Sequence, residues 1–183
     1  EDADVLLRNA DSAMYRAKSE GRNNYQFYMP ELTSEAFERL SMETCLRQAL
    51  DRGELVLYYQ PQYSLKTEKI IGVEALIRWK HPVMGMVDPE KFIAVAEETG
   101  LIVPIGEWVI KTACEQLKSW QAAGYPSLRM AVNLSARQFW KPGLNDFIAD
   151  ILKTTGVAPT DLELELTESI LMHDTVIISD TLN

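Results

Sequence analysis

Two hydrophobic periods alternate along this chain. In the first 28 residues, Leu6, Ala10, Ala13, Met14 and Ala17 recur at the spacing of one helical stripe. Gly21 stops that helix, and Tyr25-Gln26-Phe27-Tyr28 reads as a short strand. Pro30, within residues 29–33, marks a boundary. A second amphipathic helix is predicted from Ser34 to about Asp51, with Phe37, Leu40, Leu46 and Leu50 on one face and Gly53 as its stop. Beyond it the period shortens to that of a strand at Leu55–Gln60 and Lys69–Trp79. Asp88-Pro89 is a helix start, an N-cap acceptor followed by proline at the first helical position, and Thr99-Gly100 is the stop. A long helix is predicted from about Ile105 to Ala123 and a strand at Met130–Leu134. Ser135-Ala136-Arg137-Gln138 reads as a capping box opening a helix that lasts to Gly156. A strand follows at Leu162–Thr167, and the last residues begin another helix. Strands alternating with helices predict a parallel sheet or barrel with helices outside.

Three of these strands carry oxygen where apolar residues belong. In Ile71–Trp79, Val73, Ala75, Ile77 and Trp79 share one face, and Glu74, Leu76 and Arg78 share the other. Asn133 sits near the carboxyl end of its strand. In Leu162–Glu168, leucines hold one face while Glu163, Glu165 and Thr167 hold the opposite one. Strands covered on both faces read as continuous apolar runs, and a buried lone carboxylate costs several kcal/mol unless paired or metal-bound. Glu74, Asn133 and Glu165 therefore call for a shared partner. Oxygen donors without thiolate or imidazole select Mg²⁺, Mn²⁺ or Ca²⁺ over zinc, and Arg78 suits a phosphate held against such an ion. The same residues also fit a half-exposed strand with its acids in water, a turn organised by Asn133, and a solvated strand end at Arg78. Cys45, Cys114, Trp108 and Trp120 read as packing groups, and His81 and His173 as loop and surface residues.

Composition narrows the partners. Eighteen Lys and Arg against 27 Asp and Glu give 18 − 27 = −9, which disfavours binding to DNA or RNA polymers. Apolar residues at 46% and charged residues at 25% exclude gross disorder. No stretch has the length of a membrane span, and no signal peptide is evident. The chain opens on Glu1 and ends at Asn183 within an unfinished pattern, which we read as a piece of a longer protein.

Glu74-Ala75-Leu76, within GVEALIRWKHP, resembles the signature of the EAL-domain family, bacterial cyclic di-GMP phosphodiesterases. LVLYYQPQYSL, DPEKFIAVAEETGLI, AVNLSARQF and LELELTES match the family in the same order, a far more specific signal than any single motif. ADVLLRNADSAMYRAKSEGRNNYQFY is similar to the last helix and strand of a GGDEF (diguanylate cyclase) domain. The resemblance therefore implies a GGDEF tail at residues 1–28, a linker at 29–33, and the first half of an EAL domain at 34–183. The implied fold is α/β, a TIM-like (β/α)8 barrel with an antiparallel first strand, of which about half is present here.

The implied activity is hydrolysis of cyclic di-GMP to linear pGpG at a site with two Mg²⁺ or Mn²⁺ ions. Carried onto this sequence, Glu74, Asn133 and Glu165 match metal ligands, and Gln60, Leu76 and Arg78 match substrate contacts. Glu168 matches a loop-anchoring glutamate, and Lys18 and Arg22 match phosphate contacts of the GGDEF remnant. Paired aspartates, a catalytic lysine and a later glutamate are expected beyond Asn183, so the 183 residues alone are expected to be inactive and prone to associate. The parent is expected to be a cytoplasmic homodimer in bacterial signalling, with tethering to the inner membrane through upstream segments left open. The alternative is a catalytically silent cyclic di-GMP receptor.

Overall fold

The computed structural model describes residues 2–19, 22–125 and 128–166. The chain divides into two compact units, residues 1–45 and 46–183.

The amino-terminal unit contains helix α1 (Ala3–Ser19) and most of helix α2 (Pro30–Ala49). The last turn of α1 is closed by the Asn24 side-chain amide, which donates to the Ala17 carbonyl at 3.1 Å. The strand expected at Tyr25–Tyr28 does not form. Tyr25 and Phe27 are 78% and 77% exposed, and a strand without a ladder to join leaves its backbone unsatisfied. Helix α2 starts at Pro30, four residues before the expected Ser34, so residues 30–33 form its first turn. The missing N–H of proline costs nothing at the first helical position.

The second unit is a mixed sheet with helices on one face. Its strands are β1 (Leu55–Ser64), β2 (Lys69–His81), β3 (Gly85–Val87), β4 (Arg129–Leu134) and β5 (Leu162–Leu166). The order is β1-β2-β4-β5, with β3 a short hairpin partner on the far end of β2. Strand β1 runs antiparallel to β2, while β2, β4 and β5 are mutually parallel. The expected antiparallel first strand is present, and the sheet is open among the described residues. Strand β1 continues past Gln60 through Pro61, which an edge position tolerates because the proline nitrogen has no ladder bond to make.

Packing follows the alternation read from the sequence. Val73, Ala75 and Trp79 of β2 and Met130, Val132 and Leu134 of β4 are buried. Against this face lie α3 (Pro89–Thr99) and α4 (Ile102–Ala122). Trp79, fully buried, meets Phe92 of α3 edge-on at 5.8 Å, and its indole N–H donates to Glu54 at 3.0 Å. Tyr59 of β1 meets Trp120 of α4 in the same way at 4.8 Å. Helix α4 buries Ile105, Val109, Ile110, Ala113, Cys114 and Leu117 along one stripe, and each large aliphatic side chain contributes about 1.5–3 kcal/mol. Cys114 is such a packing group: burial, reinforced by the neighbouring Glu115 charge, pushes its thiol up to about 11. Helix α4 begins three residues before the expected Ile105, because Pro104 falls in its first turn, where no N–H is needed.

The helix expected from Ser135 to Gly156 is two, α5 (Ala136–Phe139) and α6 (Leu144–Thr155). Pro142 lacks a donor and Gly143 takes φ +85°, so the chain turns between them. The capping box at the start of α5 is formed as expected. Ser135 Oγ accepts from the Gln138 N–H at 3.3 Å, and Gln138 Oε1 accepts from the Ser135 N–H at 3.1 Å. Gln138 is only 5% exposed because its side chain lies against Gly106 of α4. A Cβ built on Gly106 would stand 1.7 Å from the Gln138 amide nitrogen. The absent side chain is what lets Gln138 lock the turn that directly follows Asn133.

Gly106→Ala is therefore expected to destabilise the protein by about 1–3 kcal/mol through overpacking. The penalty should shrink in a Gln138→Ala background, as read from a double-mutant cycle of thermal or urea unfolding.

Candidate active site

Residues paired across neighbouring strands share a face, so the register states which side chains converge. Gln60 lies opposite Glu74, and Tyr58 opposite Leu76. Glu74 is level with Ala131, and Asn133 is level with Glu165. The face opposite the helices thus carries Gln60, Gln62, Glu74, Leu76, Arg78, Asn133, Glu163 and Glu165.

Three oxygen-bearing groups meet there. The Asn133 amide donates to Glu74 Oε1 at 2.6 Å, which leaves the Asn133 carbonyl oxygen as an acceptor. Gln62 Nε2 approaches Glu165 Oε1 at 3.5 Å. The Glu165 carboxyl is held above the usual carboxylate range, first by partial burial and then by the Glu74 and Glu163 charges, with the Gln62 hydrogen bond pulling the other way. Glu74 and Glu165 therefore feel each other across β4. At the amino ends of the strands Arg129 sits 3.8 Å from Glu163.

Glu74, Asn133 and Glu165 are thus brought to one face. Among the described residues no three His, Cys, Asp or Glu cluster in a way that could hold a metal, and the donor set is two carboxylates and one amide oxygen. Such oxygens fit a hard divalent cation, whose charge would offset the repulsion between the two acids.

The expected substrate contacts flank this group. Gln60 is exposed directly across from Glu74. Leu76 and Arg78 are half-buried and line a cavity of about 300 Å³ at the carboxyl ends of β2 and β4, closed by Ile93 of α3, Ile105 of α4 and Gln138. One Arg78 N–H donates to the Ile77 carbonyl at 2.8 Å. Lys18, in the last turn of α1, and Arg22, with φ +59°, are exposed in the amino-terminal unit. Glu168 and Thr167 lie outside the described residues, as does the helix expected after them.

Gln62 carries no motif of its own in the sequence, and Gln138 shows there only as half of a capping box. Gln62 stands one alternation past Gln60 on the same strand face, so the strand period carried the signal. The role of Gln138 depends on its contact with Gly106, far away in the chain, and no local pattern reveals it.

A profile described as "EAL domain" matches residues 43–182. The bifunctional diguanylate cyclase/cyclic di-GMP phosphodiesterase MucR of Pseudomonas aeruginosa is 47% identical over 169 residues, covering 92% of this chain and 25% of that protein. The cyclic di-GMP phosphodiesterase NbdA of the same organism is 41% identical over 174 residues, covering 95% of this chain and 22% of that protein. The chain thus spans about a quarter of the length of these curated relatives. A solved structure described as the PaMucR phosphodiesterase in complex with c-di-GMP superposes with a TM-score of 0.73 at 45% identity, over 77% of this chain and 59% of that one.

The raised Glu165 carboxyl fixes the sign of a pH effect. The folded protein holds this proton more tightly than the unfolded chain, so its charged form is a liability above the folded value, and the liability disappears below the ordinary glutamate range of about 4.3. Glu165→Gln is expected to raise the thermal midpoint of metal-free protein at neutral pH, and the gain should vanish near pH 4 in the same melts.

Proposed function

The chain belongs to the EAL-domain family, and from that premise we propose that the full-length protein carrying it hydrolyses cyclic di-GMP to linear pGpG in a divalent-cation-dependent reaction. The observation that carries this reading is the convergence of Glu74, Asn133 and Glu165 on the polar face of three neighbouring strands. Residues 1–28 are read as the tail of a GGDEF domain, supported by helix α1 and by the exposed Lys18 and Arg22.

In this reading Glu74, Glu165 and the Asn133 carbonyl oxygen would hold Mg²⁺ or Mn²⁺. A divalent cation held there supplies Lewis acidity to the phosphodiester and to the water that attacks it. The remaining work belongs to the chain. Asn133 donates to Glu74 and so fixes the orientation of that carboxylate. Gln62 does the same for Glu165. Arg78 has one N–H committed to the Ile77 carbonyl, and its remaining donors are available for a phosphate oxygen. Leu76, half-buried at the edge of the cavity, offers the ligand an apolar contact. Gln60, opposite Glu74, offers an amide to the substrate. The described donor set stops at three side chains, so turnover is assigned to the full-length protein and not to the 183 residues alone.

Full-length protein incubated with cyclic di-GMP and Mg²⁺ or Mn²⁺ should yield pGpG by chromatography, with no product in chelator. Glu74→Ala should abolish turnover while changing metal-free stability by less than about 1 kcal/mol, because the acids are partly solvated. Protein that binds cyclic di-GMP and never releases pGpG would convert the reading to a receptor.

A further inference from the structure

Two cations project from the carboxyl-terminal part of β2 on the same face as Glu74. Arg78 and Lys80 lean over one ring, with the Arg78 guanidinium carbon 5.8 Å and Lys80 Nζ 5.7 Å from the centroid of Tyr58. Tyr58 comes from β1, opposite Leu76, and is 47% exposed. Among the described residues neither cation has a carboxylate at ion-pair distance, in a chain whose net charge is −9. Two adjacent positive groups repel each other, and an aromatic face between strands offsets part of that cost while limiting their rotamers. The result is a preorganised positive notch with no counter-ion among the described residues.

Its distance from the acids sets the size of its ligand. Lys80 lies six positions beyond Glu74, about 20 Å of strand at ~3.3 Å per residue. That span suits an elongated ligand carrying two phosphates better than a mononucleotide.

The geometry points to Tyr58, Arg78 and Lys80 as a two-cation clamp for the distal half of a cyclic dinucleotide whose other half lies at Glu74, Asn133 and Glu165. This rests on the functional reading above and adds Tyr58 and Lys80 to it, as the residues that discriminate a dinucleotide from a mononucleotide. Tyr58 acts as a positioning residue for the two cations, and Lys80 contacts the ligand.

Calorimetric titration of full-length protein, with chelator present to stop turnover, tests the clamp with cyclic di-GMP and 5′-GMP as probes. Lys80→Met should weaken cyclic di-GMP binding about tenfold, the scale of one charged contact, and 5′-GMP binding less than about twofold. The dependence of the cyclic di-GMP affinity on salt should also flatten. Tyr58→Leu should reproduce the selective loss, and Tyr58→Phe, which keeps the ring face, should restore wild-type binding. Lys66→Met, in the turn at the other end of the β1–β2 hairpin, should match wild type for both probes. Equal losses for the two probes, or none, would overturn the clamp while wild-type binding of cyclic di-GMP leaves the functional reading standing. Failure of the wild-type protein to bind cyclic di-GMP, with chelator and with divalent cation alike, would overturn both.

Discussion

Mutual repulsion of two carboxylates on one side of a sheet is the constraint around which the second unit is organised. Glu74 and Glu165 stand on strands separated only by β4, and the Glu165 carboxyl is lifted from its ordinary range partly by the Glu74 charge. A chain selected only for stability would place leucine there, as it does on the other face at Leu162, Leu164 and Leu166. Retaining acids in that position concentrates negative charge where a cation would relieve it. Asn133 between them is the one neutral member of the set, able to donate to Glu74 while keeping its carbonyl oxygen for another partner.

Holding that arrangement requires rigidity behind it, supplied by the apolar side of the same strands. Trp79, Phe92 and the buried stripe of α4 fix the backbone of β2 and β4, so the alternation of side chains leaves Glu74 and Asn133 no freedom to turn inward. Immediately past Asn133, the Ser135–Gln138 capping box is wedged against a glycine of α4. Precision at the site thus comes from a helix contact on the opposite side of the sheet, where a single methyl group would displace the wedge.

Much of this was legible from residue order alone, and the misses have physical causes. The two-residue period identified the mixed polar and apolar faces of β2, β4 and β5, because every residue in a strand is committed to one side. It did not define where elements end. The peptide at Tyr25–Tyr28 has strand-forming residues but no ladder to join, and Pro30 looks like a breaker although it starts a helix. The split between α5 and α6 depends on how Pro142 and Gly143 turn the backbone. At the site, Glu74, Asn133 and Glu165 were visible as intrusions into apolar strands. Gln138 was visible only as half of a capping box, since its burial depends on a glycine more than thirty residues earlier. The short strand β3 escaped notice because three residues carry too little pattern to show a period.

Strand β2 is longer than its neighbour. It pairs with β4 only from Gly72 to Ala75, then continues to His81 flanked by β1 and the small β3 hairpin. The overhang divides one strand into two territories with different structural burdens. The lower part is gripped on both sides, and substitutions there disturb the folded framework. The upper part stands clear of the parallel neighbour, so substitutions on its polar face disturb little of the packed framework. The chemistry of the overhang's polar face can therefore be altered by exchange of a few residues while the acidic centre beneath it stays fixed.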